Sequence, residues 1–410
     1  MTSKPLLGLF GGFGVELEYM IVDLDTLAVR PVCDKLLAAV AGEITGEVEL
    51  GQFAWSNELA LHVLEFKTNG PVAVLDGLAA GFQQQVARAN ELLRPLNACL
   101  LPAAMHPTMN PHTEMQLWPH EHSAVYEAFN RIFDCRGHGW ANLQSIHLNL
   151  PFADDEQFGR LHAAIRLLLP LLPALAASSP LIDGRIADHL DQRLAVYRGN
   201  AAKIPSVSGT VIPEPVYTRA AYEREILLPM YCEIAPHDPE GVLQHEFLNA
   251  RGAIARWDRQ TIEIRVLDVQ ECPAADVAIL SLIEAVLREL VDERHATLLE
   301  QQALPQMPLV ALLAATIRDA DQAPVADPEY LATLGLDDVR RPTAGEVWRR
   351  LLQRVEIPSA AREPLDVILR EGPLARRMLA RCGSSPSATS IKQLCRDLAE
   401  CLAVGRMLDG

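Results

Sequence analysis

The sequence is poor in positive charge. Its 410 residues contain 36 Lys and Arg against 53 Asp and Glu, which gives a formal net charge of -17 at pH 7. Proteins that bind nucleic acid without sequence preference neutralise phosphates with basic side chains, so this composition argues against that class. The excess acid either keeps the chain soluble or conceals a group of carboxylates that needs cations, and only the positions of the residues distinguish these two cases.

The sequence also lacks a membrane-spanning run and a paired cysteine motif. The most apolar stretch, residues 167–177, is too short to cross a bilayer and is interrupted by Pro170 and Pro173. No small-residue cleavage site follows the apolar N-terminal segment. The eight cysteines are scattered without CxxC spacing, which argues against a disulfide framework or a zinc site. These absences predict a cytoplasmic protein with reduced thiols and no membrane partner.

No phosphate-binding loop motif is present. The chain contains neither GxxxxGK[ST] nor a GxGxxG that opens a helix after a strand, and the glycine-rich residues 11–14 lead into a strand instead. There is also no convincing Ser-His-Asp or Cys-His motif for nucleophilic catalysis. If this protein uses ATP, metals and basic side chains must hold the phosphates.

The sequence is rich in apolar residues, which make up 49% of the chain. This is enough for one large or two ordinary domains with a buried core. Several segments show the alternation or the β-branched apolar runs of strands, and the last two look like a strand pair joined by a turn. The predicted strands are residues 13–23, 59–67, 99–103, 142–150, 245–257 and 261–266.

Helical patterns lie between these strands and dominate after Pro273. One helix is expected to open at Pro71 and another at Asp155. Strands dispersed among irregularly placed helices favour an α+β fold with an antiparallel sheet over a doubly wound one. We therefore expect a core domain at residues 1–295 and a helical C-terminal part at residues 296–410 that packs on the same domain.

Carboxylates occupy strand positions that otherwise indicate core. Glu16 and Glu18 leave the same face of their strand about 6.6 Å apart along it. Charged residues on such strands are normally paired or bound to metal. The other polar residues that share this kind of position are Glu65, His147, Glu263 and Arg265.

These residues also have ordinary interpretations. The Glu16 and Glu18 pair alone is most often a solvated edge face, and a single Glu65 or His147 is most often a hydrogen-bonded core or rim residue. Glu263 and Arg265 fit one half of a surface cross-strand ladder. Only the ordered combination of all these positions favours a site.

A site that gathers these carboxylates needs cations. Bringing two carboxylates to about 4 Å costs roughly 4 kcal/mol per pair at an effective dielectric constant near 20. Carboxylate oxygens are hard ligands suited to Mg²⁺ or Mn²⁺, and one imidazole among them excludes neither metal. Arg265 would then offer planar donors to a phosphate or a transferring phosphoryl group.

Four sequence blocks, taken in order, resemble glutamate-cysteine ligase family 2, the carboxylate-amine ligases related in fold to glutamine synthetase. GVELEYMIVD is similar to the family's opening GxExE strand, and VLEFKTNGP to its second acidic strand, in which a Glu precedes Thr68 by three residues. LQSIHLNL is similar to the QHVHV block, and TIEIRVLDVQECP to the LEVRVxD block. The resemblance covers about residues 10–275.

This resemblance implies a curved antiparallel sheet that forms a funnel flanked by helices, with two or three Mg²⁺ ions inside it and ATP at one mouth. It implies Glu65 and Arg265 as catalytic residues, and Arg265, Gln144 and Arg193 as contacts for the nucleotide or substrate. The metal ligands that it implies are Glu16, Glu18, Glu65, His147 and Glu263. The chain departs from the family at Ser145, where relatives often carry the first His of QHVH.

The implied reaction is an ATP-dependent amide bond formation, through an acyl-phosphate, between an amino-acid carboxylate such as the glutamate γ-carboxylate and cysteine or another amine. Two alternatives stay open. His120 and His122 form a His-x-His that would suit a metal-dependent hydrolase, although no third ligand at zinc-site spacing is visible. A non-catalytic nucleotide-binding protein could keep the same fold. The amphipathic C-terminal helices would permit a homo-oligomer.

Overall fold

A computed structural model describes residues 6–409. Its centre is an eight-stranded antiparallel sheet, beside which a small two-stranded sheet lies. The strands, in chain order, are β1 Gly14–Asp23, β2 Glu47–Leu50, β3 Phe53–Asn57, β4 Val63–Thr68, β5 Ala98–Leu101, β6 Ser145–Pro151, β7 Leu181–Ile182, β8 Arg185–Ile186, β9 Ala253–Arg256 and β10 Thr261–Asp268.

The central strand of the large sheet is β1, which has two different neighbours along one edge. The strand order is β2-β3-β4-β1-β6-β10-β9, and β5 also pairs with β1. The first half of β1 pairs with β6 and its second half with β5, while β4 lies along the other edge. Because strands from distant parts of the chain converge on β1, polar residues far apart in sequence come to lie side by side.

Helices surround the sheet, and in the described part of the chain every element after β10 is a helix. They are α1 Cys33–Ala41, α2 Leu78–Leu93, α3 Pro111–Glu114, α4 Ser123–Phe133, α5 His138–Ala141, α6 Asp155–Leu168, α7 Pro173–Ala176, α8 Gln192–Tyr197, α9 Arg219–Tyr222, α10 Leu228–Ile234, α11 Pro273–Val291, α12 Leu298–Ala303, α13 Gln306–Asp319, α14 Pro328–Thr333, α15 Ala344–Leu352, α16 Ser359–Glu371, α17 Leu374–Cys382 and α18 Ala388–Val404.

The two faces of β1 pack into different apolar clusters. Val15, Leu17 and Tyr19 point to one face and belong to the main core, which continues through α2, α6 and α11 into the C-terminal helices. Met20 and Val22 point to the face that also carries Glu16 and Glu18, and they pack in a second cluster with apolar residues of α17 and α18. The C-terminal helices therefore contribute to both clusters.

Two sequence predictions need correction, and two short strands were missed. The helix expected to open at Pro71 begins at Leu78, because backbone hydrogen bonds pair Val72 with Phe13 and the chain then bends and turns before the helix starts. The strands β2 and β3 were not predicted, since each is only four or five residues long.

The predicted strand at 245–257 is a strand only at its end, in β9. A 3₁₀ turn occupies Glu246–Leu248, and the N–H groups that follow bond to another segment, with Ala250 N–H donating to the Val207 carbonyl and Gly252 N–H to the Val211 carbonyl. The buried Arg251 side chain holds this segment through a bidentate pair with Glu214.

The C-terminal part contains α12 to α18 and, among the described residues, no strand. The boundary between residues 295 and 296 stays a prediction, and residues 1–5 and 410 of the two predicted parts lie outside the described chain. No helix between residues 6 and 409 is both long enough and apolar enough to cross a membrane.

Candidate active site

The register of the sheet aligns the predicted polar residues in rows across its inward face. Glu16 on β1 lies opposite Lys67 on β4 and opposite His147 on β6. Glu18 lies opposite Glu65 on β4. On the far side of β6, Asn149 lies opposite Glu263 of β10, which extends the rows toward that strand.

A cavity of about 770 Å³ opens over this face. Its walls come from β1, β4, β6, β9 and β10 and from the turn between β9 and β10. The polar residues among its lining include Glu16, Glu58, Glu65, Lys67, His147, Asn149, Arg256, Glu263 and Arg265. A cavity of this size, lined by apolar side chains as well as by convergent polar groups, is suited to a small-molecule ligand.

His147 is at the centre of the carboxylate wall. Its Nδ1 donates to Glu16 Oε2 at 2.7 Å, and its Nε2 lies 3.8 Å from Glu18 Oε1. Glu263 Oε1 is 3.9 Å from Nδ1. Burial opposes the charged imidazolium, but the hydrogen bond to Glu16 and the charges of the three carboxylates outweigh it and raise the pKa of His147 to about 9. The imidazolium therefore serves as one of the cations of the wall until a metal ion displaces one of its ring protons.

Ser145 completes a hydrogen-bonded chain that the sequence did not reveal. Its Oγ lies 2.9 Å from His147 Nε2 and 2.9 Å from Glu18 Oε2, while its backbone N–H donates to the same Glu18 oxygen at 2.7 Å. The order Ser145, His147, Glu16 resembles a Ser-His-acid triad, but Ser145 has one hydroxyl proton and Glu18 accepts it. Ser145 therefore orients Glu18 and His147, and it is not activated as a nucleophile.

Two groups of side chains in this wall have the composition of metal sites. Glu16, Glu65 and His147 form one group, and Glu18, Glu58 and Glu65 form the other; within each group one ligand atom per residue lies within 4.8 Å of the others. Glu65 belongs to both groups. Oxygen donors with one imidazole fit Mg²⁺ or Mn²⁺ by their hardness.

Glu58 is the member of this set that sequence analysis missed. It follows β3 directly and precedes Glu65 by seven residues. Because β3 was not predicted, nothing in the sequence pattern pointed this carboxylate toward the others. The available signal was the short segment FAWSNE, in which three apolar residues precede Ser, Asn and the acid.

The protonation of the wall shows that it is short of positive charge. Burial and the neighbouring carboxylates raise the pKa of Glu58 well above its usual value, and burial together with Glu16 raises the pKa of Glu65 to about 7. Burial also opposes ionisation of Glu16, but the hydrogen bond and charge of His147 outweigh it and lower the Glu16 pKa to about 2. The buried Asn149 Oδ1 has no hydrogen-bond partner among the described residues. Divalent cations fit this wall, because they would neutralise its crowded carboxylates and could accept the lone pair of the unpartnered amide oxygen.

Arg265 lies on the inward face where β10 departs from regular pairing. The register of β10 against β6 shifts between Ile264 and Leu267. Such a β-bulge changes the direction in which the side chain points. Its Nε lies 3.3 Å from Glu263 Oε1 and its Nη1 donates to the Asn249 carbonyl at 3.3 Å. The guanidinium is thus held at the cavity wall with donors still available for a ligand.

The structure does not bring Arg193 and Gln144 into the cavity wall. Arg193 is buried and its Nε is paired with Asp268, which also accepts from Ser178 and Ser179. Gln144 is fully buried, outside the lining of the cavity, and its amide has no hydrogen-bond partner among the described residues. A direct contact of either residue with a nucleotide or substrate therefore has no support from the geometry.

The histidine-rich segment does not assemble a metal site in the described part of the chain. His120 pairs with Asp34 at 3.2 Å, and His138 with Asp183 at 3.1 Å. His106 is buried and its Nε2 donates to the Leu27 carbonyl. These partners are different for each residue, so the geometry offers no second ligand set for a hydrolase.

Comparison with known proteins agrees with this architecture. An uncharacterized protein from Archaeoglobus fulgidus is 32% identical over 390 residues, which cover 95% of this chain and 98% of that protein. Glutamate–cysteine ligase GshA from Francisella tularensis, solved in complex with AMP, aligns over 98% of this chain and 90% of its own, with a TM-score of 0.60 and 13% identity. A bifunctional glutathione synthetase from Pasteurella multocida aligns over 96% of this chain and 52% of its own, with a TM-score of 0.51 and 14% identity.

The structural likenesses confirm the predicted fold, an α+β architecture with a glutamine synthetase-like antiparallel sheet. The sequence match is wider than the predicted one, because the profile of the family described as "Glutamate-cysteine ligase family 2(GCS2)" covers residues 12–397 and so includes most of the C-terminal helices. The chain belongs to glutamate-cysteine ligase family 2.

Proposed function

We propose that this protein is an ATP-dependent carboxylate-amine ligase, which joins the γ-carboxylate of glutamate to cysteine or another amine. One observation carries the proposal: two groups of side chains that could each hold a metal ion share Glu65, which lines the cavity. Paired divalent ions on such a wall are suited to a substrate that brings several phosphate charges. The likeness to a ligase solved with AMP supports ATP as that substrate.

Two or three Mg²⁺ or Mn²⁺ ions would be held by Glu16, Glu18, Glu58, Glu65, His147 and Glu263. Bound there, they would neutralise the phosphate oxygens and stabilise the charge that develops during phosphoryl transfer. Arg265 would contact the transferring phosphoryl group with its planar donors. Ser145 would keep Glu18 and His147 oriented toward the ions.

The proposed chemistry has two balanced steps. A substrate carboxylate oxygen attacks the γ-phosphorus of ATP, the bond to the bridging oxygen breaks, and its electron pair leaves with ADP. The amine nitrogen then attacks the carbonyl carbon of the acyl-phosphate. Phosphate leaves with the electron pair of the broken carbon–oxygen bond, and the nitrogen loses a proton to give the amide. Neither step requires a protein nucleophile.

The same proposal includes the setting in which the enzyme works. The cavity fits amino acids and a nucleotide rather than a macromolecule. All eight cysteines are free, which supports the prediction of a reducing cytoplasm. A homo-oligomer and the absence of a nucleic-acid partner stay predictions from the sequence.

The test is Mg²⁺-dependent ADP release with glutamate and a panel of amines, compared between the wild type and the Glu16→Gln/Glu18→Gln double variant. We expect amine-dependent release by the wild type and its loss in the double variant. The matched control replaces two exposed carboxylates, Glu91→Gln/Glu127→Gln, and should keep full activity.

Three results would contradict parts of the proposal. Unchanged activity in the Glu16→Gln/Glu18→Gln variant would remove the site assignment. Binding of ATP without ADP release for any amino-acid and amine pair would favour a non-catalytic nucleotide-binding protein, and ATP-independent hydrolysis with zinc would favour a hydrolase.

A further inference from the structure

One cation of the cavity, Lys67, has no role in the proposed metal chemistry. It follows Glu65 by two residues on the inward face of β4 and lies opposite Glu16 of β1. Its Nζ lies 2.6 Å from Glu47 Oε2 and 3.5 Å from Glu65 Oε1. A quarter of its side chain is exposed, and the residue lines the cavity.

The two carboxylates that hold Lys67 differ in their surroundings. Glu47 is on the edge strand β2 and its side chain is half exposed, so its ion pair with Lys67 contributes little to stability. Glu65 is buried and is shared by both groups of candidate metal ligands. A divalent cation at Glu65 would take up the charge that attracts Lys67 and would repel its ammonium. Lys67 would then keep only its weak ion pair with Glu47, and its ammonium could turn toward the cavity.

We infer that Lys67 contacts the γ-phosphate of the bound nucleotide from the side opposite Arg265, and that Glu47 is its partner when no nucleotide is bound. This inference rests on the proposed ligase function. Lys67 on β4 and Arg265 on β10 are separated by three inter-strand spacings, about 14 Å between strand axes. Two long side chains that lean over one concave face reach a group placed between them, above Glu16 and His147.

The chemistry of the transferred group requires cations on more than one side. In phosphoryl transfer the negative charge spreads over three equatorial oxygens, while the attacking and leaving oxygens lie in line. Arg265 alone covers one side of such a group. Lys67 supplies a mobile point charge on the other side, where its three ammonium donors need no fixed orientation.

A structural role for Lys67 predicts a different pattern of binding. If the ammonium only neutralises Glu65 within the sheet, its removal changes the affinity for Mg-ADP and for a non-hydrolysable Mg-ATP analogue by the same factor. If it contacts the γ-phosphate, its removal weakens the analogue selectively. The ratio of the two affinities therefore separates the roles, and it does not depend on the fraction of active protein.

Isothermal titration of the full chain with Mg-ADP and with Mg-AMPPNP measures this ratio. We expect Lys67→Met to weaken Mg-AMPPNP by about 10- to 100-fold, the effect of losing a hydrogen bond to a charged group, and Mg-ADP by less than about threefold. Glu47→Gln removes the competing partner, so it should favour Mg-AMPPNP over Mg-ADP by about two- to fivefold. The exposed Lys35→Met is the matched control and should change neither affinity.

An unchanged ratio in Lys67→Met overturns this role while leaving the ligase proposal intact. If Lys67→Met does not fold, Glu47→Gln decides alone, because a ratio that stays the same or falls overturns the inference. A wild-type protein that binds neither nucleotide in the presence of Mg²⁺ refutes the ligase proposal itself, and the role of Lys67 with it.

Discussion

The inward face of β1 has two halves of opposite character. Its first half, the open half, carries Glu16 and Glu18 and forms a wall of the carboxylate site. Its second half, the closed half, carries Met20 and Val22, which are fully buried in the cluster that α17 and α18 complete. The same strand, with the same alternation, therefore forms a charged wall at one end and a sealed apolar contact at the other.

The difference shows what the C-terminal helices contribute. Full burial of an apolar side chain stabilises a fold by about 1.5–3 kcal/mol, whereas each carboxylate gathered without a cation opposes it. The closed half thus stabilises the fold next to a site whose carboxylates do not. Its apolar residues come from β1, β5, α17 and α18. We expect changes in the open half to alter ligand binding and activity, and changes in the closed half to alter stability alone.

The largest effect should come from Glu65→Gln in the open half, because both groups of candidate metal ligands use this carboxylate. We expect Mg²⁺-dependent ADP release to fall at least about a thousandfold. The free energy of unfolding without metal should hardly change at pH 6, since burial raises the pKa of Glu65 to about 7 and glutamine resembles the protonated form. Activity assays, Mn²⁺ titration and urea unfolding measure these quantities.

Glu49→Gln is the control for this variant, because Glu49 is an exposed residue of the edge strand β2. It should keep wild-type activity and metal affinity. If Glu65→Gln retained a tenth of the wild-type activity, the shared ligand assignment would be wrong.

The next effect should come from Leu394→Ala in the closed half. Leu394 is fully buried on α18, so the lost packing and the cavity left behind should reduce the free energy of unfolding by about 2–4 kcal/mol. Mg-nucleotide affinity of the folded protein should stay unchanged. Val404→Ala on the same helix is the control, because Val404 is 61% exposed, and we expect it to cost less than about 0.5 kcal/mol in urea unfolding. Equal costs for the two variants would show that α18 does not seal this face.

Arg265→Lys tests whether the open half needs a planar donor and not merely a charge. We expect kcat to fall by about 10- to 100-fold, because a lysine ammonium loses the two-pronged geometry of the guanidinium. Steady-state kinetics measure this change. Arg362→Lys, at an exposed position of α16 outside the cavity lining, is the matched control and should reduce kcat less than about twofold. A fully active Arg265→Lys variant would refute the role assigned to Arg265.

The smallest effect concerns His62, whose backbone carbonyl bonds to Ile21 in the closed half of β1. Its Nε2 donates to the Ala141 carbonyl, and burial lowers its pKa to about 4. A depressed histidine pKa means that stability is full above the unfolded value of about 6.5 and is lost as the pH falls toward 4. Between pH 7 and pH 5.5 the loss should be about 1 kcal/mol.

Urea unfolding across this pH range, compared between the wild type and His62→Gln, isolates the contribution of His62, because glutamine keeps a donor but does not titrate. His237→Gln, at an exposed histidine, should leave the pH dependence unchanged. Identical pH profiles for the wild type and His62→Gln would contradict the buried neutral state of this imidazole.

Part of the site could be predicted because it follows strand periodicity. Glu16, Glu18, Glu65 and His147 are on strands whose alternation is visible in the sequence, and the register brings them together. Glu58 escaped prediction because its neighbouring strand β3 is short and its own position lies outside any strand.

The two residues predicted from motif position alone show the limit of that approach. Arg193 follows a motif in sequence, yet a buried carboxylate, Asp268, takes up its charge. Gln144 precedes β6 by one residue and is buried away from the cavity lining. Position in a motif does not determine which partner a side chain meets, since that partner comes from another part of the chain.

By itself, the sequence determined the α+β class, the strands that carry the acids and the face of each strand on which they lie, because these properties depend on local alternation and composition. Only the tertiary structure decided which acids share one wall, that Ser145 links Glu18 to His147, and that the C-terminal helices close one end of the β1 face. These outcomes depend on pairings between segments far apart in the chain, and the free energies that select such pairings are those of the packed molecule as a whole.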